Sequence, residues 1–109
     1  MVRESKTRVI RRDSWLERQI SLRDKHKLHM RPAQRLVETA SRFGSEIRAV
    51  KDQLDMNAKS LVDMIEFAAY MVKRTAQDDN EFTLRARGAD AREALKALEE
   101  LVNQRFGLD

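Results

Sequence analysis

The order in which the hydrophobic spacing changes along residues 15–109 constrains the fold of this chain more than any other feature. Apolar and polar side chains alternate in four short segments, as in strands with one buried face. Three longer segments instead repeat their apolar residues every three or four positions, as amphipathic helices do. The predicted order is βαββαβα. We therefore expect an α+β fold, an open-faced sandwich in which three helices cover one face of a four-stranded antiparallel sheet.

Capping residues set the ends of the first and last predicted helices. Pro32 suits the first position of the first helix, because the N–H that proline lacks would be unpaired there, and Gly44 is placed to end that helix. Asp90 is placed to cap the last helix, with Glu93 as its capping-box partner. The four strands are marked in order by Ile20 and Leu22, by Ile47 and Ala49, by Leu54, Met56 and Ala58, and by Phe82, Leu84 and Ala86.

The composition is that of one domain with a solvated surface, since 41% of the 109 residues are hydrophobic and 37% are charged. No apolar run approaches the ~20 residues needed to cross a membrane, and the N-terminus has no signal-peptide core. Cysteine is absent, which excludes disulfides and thiol catalysis. We expect a cytoplasmic monomer that does not insert into membranes.

Most of the net charge of +4 lies in residues 1–14, which carry +3, whereas residues 15–109 carry +1. A surface that follows a phosphate backbone needs a basic face on the fold itself, so we expect no nucleic-acid partner. We interpret residues 1–14 as a basic, disordered N-terminal extension, and we expect that deletion of residues 1–13 leaves the fold intact.

His29 lies just ahead of the first predicted helix, beside Arg31 and free backbone N–H groups at the positive end of the helix dipole. An imidazole can act as a nucleophile, and a phosphoryl group accepted there would meet N–H donors and an arginine fork. His26 is the only other histidine, and two histidines without a third placed ligand do not predict zinc. We expect neither a metal nor a cofactor.

Two sequence motifs carry a family resemblance. Residues 28–33 (L-H-M-R-P-A) resemble the active-site sequence of HPr, the histidine-containing phosphocarrier of the bacterial phosphotransferase system. Residues 57–60 (N-A-K-S) resemble the segment that carries the regulatory serine of that family, at a matching separation. The resemblance extends from about Leu16 to the C-terminus, so residues 15–109 are interpreted as an HPr-like domain.

The resemblance implies a phosphocarrier and not an enzyme. His29 would accept a phosphoryl group from enzyme I, ultimately from phosphoenolpyruvate, and pass it to an EIIA-type acceptor in sugar uptake or its regulation. Arg31 would stabilise the charge, and the phosphate would bind at Arg31, Pro32 and Ala33. The partner-docking positions implied are Met30, Leu61, Val62 and Ile65. We expect that deletion of residues 1–13 leaves the phosphorylation of His29 intact, as it does the fold.

Ser60 has two interpretations that the sequence leaves open. Serine is a preferred cap, so Ser60 is placed to open the second helix, with Asp63 as its capping-box partner and an end near Lys73. The resemblance implies instead regulatory phosphorylation by an HPr kinase/phosphorylase. Lys27, Met30 and Asp63 depart from the family pattern, and these departures bear on partner specificity.

Other functions are compatible with the same motifs. One is a regulatory carrier in a nitrogen-type or incomplete phosphotransferase pathway that moves no sugar. Another is a binding module that acts by docking and is never phosphorylated. Nucleic-acid binding through residues 1–14 ranks last, for the reason of charge given above.

Overall fold

The computed structural model describes residues 7–10, 15–22 and 30–104 of the chain. These residues form one sheet and a layer of helices. The strands are β1 (Thr7–Ile10), β2 (Trp15–Ser21), β3 (Glu46–Lys51), β4 (Leu54–Asn57) and β5 (Glu81–Arg87). The helices are α1 (Met30–Ala40), α2 (Leu61–Thr75) and α3 (Ala91–Asn103).

The sheet is antiparallel throughout and its strands lie in the order β1-β2-β5-β3-β4. In the register, Ile20 lies opposite Phe82 and Ala49 lies opposite Leu84. Because side chains directly opposite share a face, these buried residues form one apolar surface. The alternation that predicted the strands therefore corresponds to the buried face of the sheet.

The three helices pack on that apolar face. Helix α3 contacts β2 and β5, α2 contacts β4, and α1 contacts the other two helices. Phe67 of α2 meets Phe82 of β5 edge to face, with ring centroids 5.3 Å apart, and both rings are buried. The predicted α+β open-faced sandwich is confirmed.

The prediction for residues 1–14 is wrong at Thr7–Ile10, which form β1. This strand pairs with β2 and places Ile10 opposite Trp15. The described sheet therefore has five strands and not the predicted four. The sequence pattern fails here because Thr7–Ile10 reads T-R-V-I, in which apolar and polar residues do not alternate, and the backbone hydrogen bonds of β1 come from pairing with β2.

Trp15 lies on the sheet face that the helices leave uncovered, since its neighbour Leu16 packs against the core. It is nevertheless buried. The guanidinium carbons of Arg85 and Arg87 lie 4.5 Å and 4.4 Å from its ring centroid. Two cation–π contacts thus cover the tryptophan on the open face.

The predicted limits of α1 are displaced in the structure. The helix begins at Met30, so Pro32 is its third residue and not its first. Proline is tolerated there because the first turn of a helix has no intrahelical acceptors for its N–H groups. The helix ends at Ala40, ahead of Gly44, whose N–H instead donates to Asp90 across 3.0 Å.

Candidate functional site

The predicted phosphoryl acceptor, His29, lies outside the described residues, as does His26. The structure does describe the helix that follows: Met30 and Arg31 are the first two residues of α1. Their backbone N–H groups have no intrahelical acceptor, and the side chains of these two residues are outside the description. The structure therefore begins a helix at the residue that follows His29 in the sequence, and the role of its N–H groups stays a prediction.

Pro32 and Ala33 are both buried, and Ala33 has no exposed surface. Ala33 belongs to the hydrophobic core beside Leu36 and Ala40 of the same helix. Neither side chain carries a hydrogen-bond donor. The contribution of these two residues to phosphate binding would come from how they fix the backbone of the first turn.

Ser60 is the N-cap residue of α2, as predicted. Its extended backbone lets its hydroxyl oxygen accept a hydrogen bond from the N–H of Asp63 at 3.2 Å. Capping by this contact satisfies one of the free N–H groups of the first turn. The structure therefore gives Ser60 a structural task, and its regulatory phosphorylation stays a prediction.

Asp63 does not complete the predicted capping box. Its carboxylate accepts a hydrogen bond from the backbone N–H of Asn57 at 3.0 Å instead of returning to Ser60. The N–H of Ser60 donates to the carbonyl oxygen of Asn57 at 3.1 Å. Asp63 thus fastens the end of β4 to the start of α2.

Lys59 connects this helix start to the segment that follows α1. Its Nζ donates to the carbonyl oxygen of Phe43 at 2.6 Å, and its backbone N–H donates to the side chain of Asn57 at 2.9 Å. This role of Lys59 is not predictable from the sequence, because residue spacing gives no signal for a contact across 16 positions.

The predicted docking residues of α2 differ in exposure. Val62 is 74% exposed, whereas Leu61 and Ile65 are 36% and 37% exposed. The buried face of the helix is formed by Met64, Phe67, Ala68, Met71 and Thr75. Leu61 and Ile65 therefore flank the buried face, and Val62 lies on the solvent side. These three residues form an exposed apolar surface at the start of α2, and its role in docking stays a prediction.

A charged network lies at the other end of α2. Asp79 accepts hydrogen bonds from Lys51 at 2.6 Å and from Arg74 at 2.8 Å, and these lower its pKa to about 2. Tyr70 donates to Asp52, which raises the pKa of the tyrosine. The network joins the β3–β4 turn to α2, and no sequence motif predicts it, because its members come from separate elements.

No group of three potential metal ligands occurs in the part of the chain that the structure describes. Within the same residues, no helix is both long and apolar enough to span a membrane.

Comparisons with known proteins agree with this arrangement. The family model described as the PTS HPr component phosphorylation site matches residues 16–104. The chain belongs to the HPr family. The HPr proteins are phosphocarriers of the phosphotransferase system and are not enzymes.

Individual HPr proteins match over most of their length. Phosphocarrier protein HPr of Neisseria meningitidis is 35% identical over 92 residues, which cover 84% of this chain and 96% of that protein. The HPr-like protein Crh of Bacillus subtilis is 33% identical over 89 residues, or 82% of this chain and 96% of Crh. The crystal structure of HPr-C-His from Thermoanaerobacter tengcongensis has a TM-score of 0.70 and 35% identity, and the match covers 85% of this chain and 97% of that one.

Proposed function

We propose that His29 accepts a phosphoryl group from enzyme I and passes it to an EIIA-type acceptor, in sugar uptake or its regulation. The ultimate donor is phosphoenolpyruvate. The observation that carries the proposal is the start of α1 at Met30, the residue that follows His29 in a chain of the HPr family. Because phosphoenolpyruvate is a cytoplasmic metabolite, the proposal places the chain in the cytoplasm.

The proposed transfer needs no catalytic residue of the carrier other than the phosphoryl acceptor and the groups that stabilise charge on the phosphoryl oxygens. The unprotonated ring nitrogen of His29 supplies an electron pair to phosphorus, and the bond from phosphorus to the donor breaks toward the donor. Phosphoryl transfer depends mainly on positioning and on stabilising charge on the phosphoryl oxygens. The N–H groups of Met30 and Arg31, together with the Arg31 guanidinium, are suited to that task.

The test is incubation of the chain with enzyme I and labelled phosphoenolpyruvate. We expect label on His29 as a phosphoramidate that is stable in base and labile in acid, and none on His29→Ala. A competent enzyme I that fails to label the wild type, or that labels His29→Ala equally, would contradict the proposal. Labelling of a known HPr by the same enzyme I preparation is the positive control.

The second candidate is a regulatory carrier of a nitrogen-type or incomplete phosphotransferase pathway. The relative that favours it is the HPr-like protein Crh of Bacillus subtilis, whose name sets it apart from the HPr proteins themselves. In this version His29 is still phosphorylated by enzyme I, but no sugar permease receives the group. Transfer assays with sugar-specific and nitrogen-type EIIA domains distinguish the two versions. Only the regulatory carrier would pass the phosphoryl group to the nitrogen-type domain and not to the sugar-specific one.

Ser60 is included in the proposal as a site for an HPr kinase/phosphorylase. Its position supports this, because it immediately precedes the exposed apolar residues Leu61 and Val62. A phosphate on Ser60 would add two negative charges beside a docking surface and near the carboxylate of Asp63. The expected consequence is weaker binding of enzyme I.

A further inference from the structure

A groove separates the edge strand β4 from the outer side of α2. Its volume is about 270 Å³, which accommodates one large apolar side chain. The β4 wall is formed by Leu54 and Met56, and both pack partly against the core. The α2 wall is formed by Glu66, Ala69, Tyr70 and Lys73.

The groove is held open by contacts on the side chains around it. The hydroxyl of Tyr70 donates to Asp52, a turn residue with a positive φ of 55°. Arg74 lies 3.6 Å from the same carboxylate and 2.8 Å from Asp79. Because these contacts fix Tyr70 relative to the β3–β4 turn, the groove needs little rearrangement to receive a ligand.

Two outward backbone groups on the outer edge of β4 already form hydrogen bonds to side chains. The N–H of Ala58 donates to the carbonyl oxygen of Ile47, so the backbone groups of Ala58 point toward β3. Because this direction alternates along an antiparallel strand, the backbone groups of Asp55 and Asn57 point away from β3. The outward carbonyl of Asp55 accepts a hydrogen bond from Arg48 at 3.0 Å. The outward N–H of Asn57 is bound by Asp63. These contacts oppose the pairing of a further strand with β4 and favour an occupant that inserts a side chain into the groove.

The groove continues the proposed docking surface along one line of α2. Val62, Glu66, Ala69 and Lys73 follow each other at spacings of four, three and four residues, so they lie on the same side of the helix. All four are exposed. A protein seated on Val62 would meet the groove one to two turns further along the same surface.

Glu66 and Lys73 border the groove with opposite charges. Neither forms an ion pair with another residue in the described part of the chain. We propose that the groove binds an apolar side chain of enzyme I that lies between a basic group facing Glu66 and an acidic group facing Lys73. This proposal rests on the proposed function, because enzyme I is the phosphoryl donor both for a carrier in sugar uptake and for a regulatory carrier.

The test is the steady-state rate at which enzyme I phosphorylates His29, measured against the concentration of the chain. Lys73→Glu reverses one charge of the groove, and Ala69→Arg obstructs its mouth. For each variant we expect KM to rise about threefold or more with kcat unchanged, because a lost docking contact weakens the encounter and not the transfer. The matched control is Lys96→Glu, the same charge change at an exposed position of α3.

Melting temperatures establish that each variant is folded, which is expected because Ala69, Lys73 and Lys96 are exposed on helices. Equal KM values for Lys73→Glu and Lys96→Glu, with the wild type phosphorylated normally, would overturn the groove proposal and leave the proposed function standing. An effect on transfer to EIIA alone, or loss of self-association measured by sedimentation, would also overturn it by identifying another occupant. Failure of enzyme I to phosphorylate the wild type would overturn both.

Discussion

Asp90 binds Ser45 through two hydrogen bonds to one carboxylate oxygen, from the backbone N–H at 3.0 Å and from the hydroxyl. Its other oxygen accepts from the N–H of Gly44 at 3.0 Å. The Ser45 hydroxyl is the main cause of a lowered pKa for Asp90, followed by the N–H of Gly44. Asp90 therefore lies at the N-cap position of α3, as predicted, but its side chain binds the loop before β3 and not the helix.

The close packing at Ser45 leaves no room for a side chain at residue 88 without a local shift. A Cβ at residue 88 would lie 2.5 Å from the Ser45 hydroxyl oxygen, and the backbone has a φ of +147° that side chains disfavour. We expect Gly88→Ala to cost about 1–3 kcal/mol of unfolding free energy, measured by urea denaturation. Gly44→Ala is the control, because nothing lies within 4 Å of the added carbon. Equal stability of the two variants would contradict this explanation.

Asp79 predicts how stability depends on pH. Hydrogen bonds from Lys51 and then Arg74 lower its pKa from 3.8 to about 2. Since the folded state favours the ionised form, the stabilisation is complete above the unfolded pKa and is lost as the pH falls toward 2. We expect Asp79→Asn to have a lower melting temperature than the wild type at pH 7. This difference should shrink as the pH falls from 3.8 to 2. The control is Glu100→Gln, at an exposed position of α3, whose melting temperature should equal that of the wild type at each pH. A difference in melting temperature between Asp79→Asn and the wild type that does not change with pH would contradict the prediction.

Arg31 is expected to stabilise charge through its planar guanidinium. Arg31→Lys keeps the charge but loses the two-pronged contact with phosphoryl oxygens. The loss of one charge-assisted contact, ~1.5–3 kcal/mol, should slow phosphorylation of His29 by about tenfold or more. Arg35→Lys, one turn along α1 at an exposed position, is the control. Unchanged rates for Arg31→Lys in a rapid-quench assay would show that Arg31 does not contact the phosphoryl group.

Two substitutions distinguish the role of Ser60 as a helix cap from its role as a regulatory site. Ser60→Ala should cost ~1 kcal/mol, because the N–H of Asp63 loses its acceptor. Ser60→Asp should keep the melting temperature, since aspartate is as good a cap and suits the helix dipole. If Ser60 is also regulatory, Ser60→Asp should slow phosphorylation of His29 more than Ser60→Ala does.

The nearby carboxylate of Asp63 already supplies negative charge, so the effect of Ser60→Asp is expected to grow in an Asp63→Asn background. Equal transfer rates for the wild type, Ser60→Ala and Ser60→Asp would leave Ser60 as a helix cap alone.

Deletion of residues 1–13 should weaken the fold without abolishing transfer. The deletion removes β1 and its pairing with β2, including Ile10 opposite Trp15. We expect a loss of about 1 kcal/mol or more, which lowers the melting temperature by roughly 4 °C. Phosphorylation of His29 should be unchanged, because the family match begins at residue 16. An unchanged melting temperature would show that β1 adds nothing to stability.

The sequence alone determined the fold class, the order of the elements from Trp15 onward and the identity of the family. Alternation in strands such as Glu81–Arg87 marks a buried face, and the helical spacing in Ala91–Asn103 marks another, so the order of elements could be predicted. Local chemistry also placed Ser60 at a helix start. These predictions succeed because each depends on residues that are neighbours in the chain.

Tertiary structure alone decided which polar groups meet. Asp90 binds Ser45 rather than its own helix, and Asp63 turns to Asn57 rather than to Ser60. A carboxylate at a helix start can accept a hydrogen bond from any N–H group within reach. Only folding brings N–H groups from outside the helix within reach of that carboxylate. The strand at Thr7–Ile10 likewise exists because β2 offers it a paired edge, which no local pattern records.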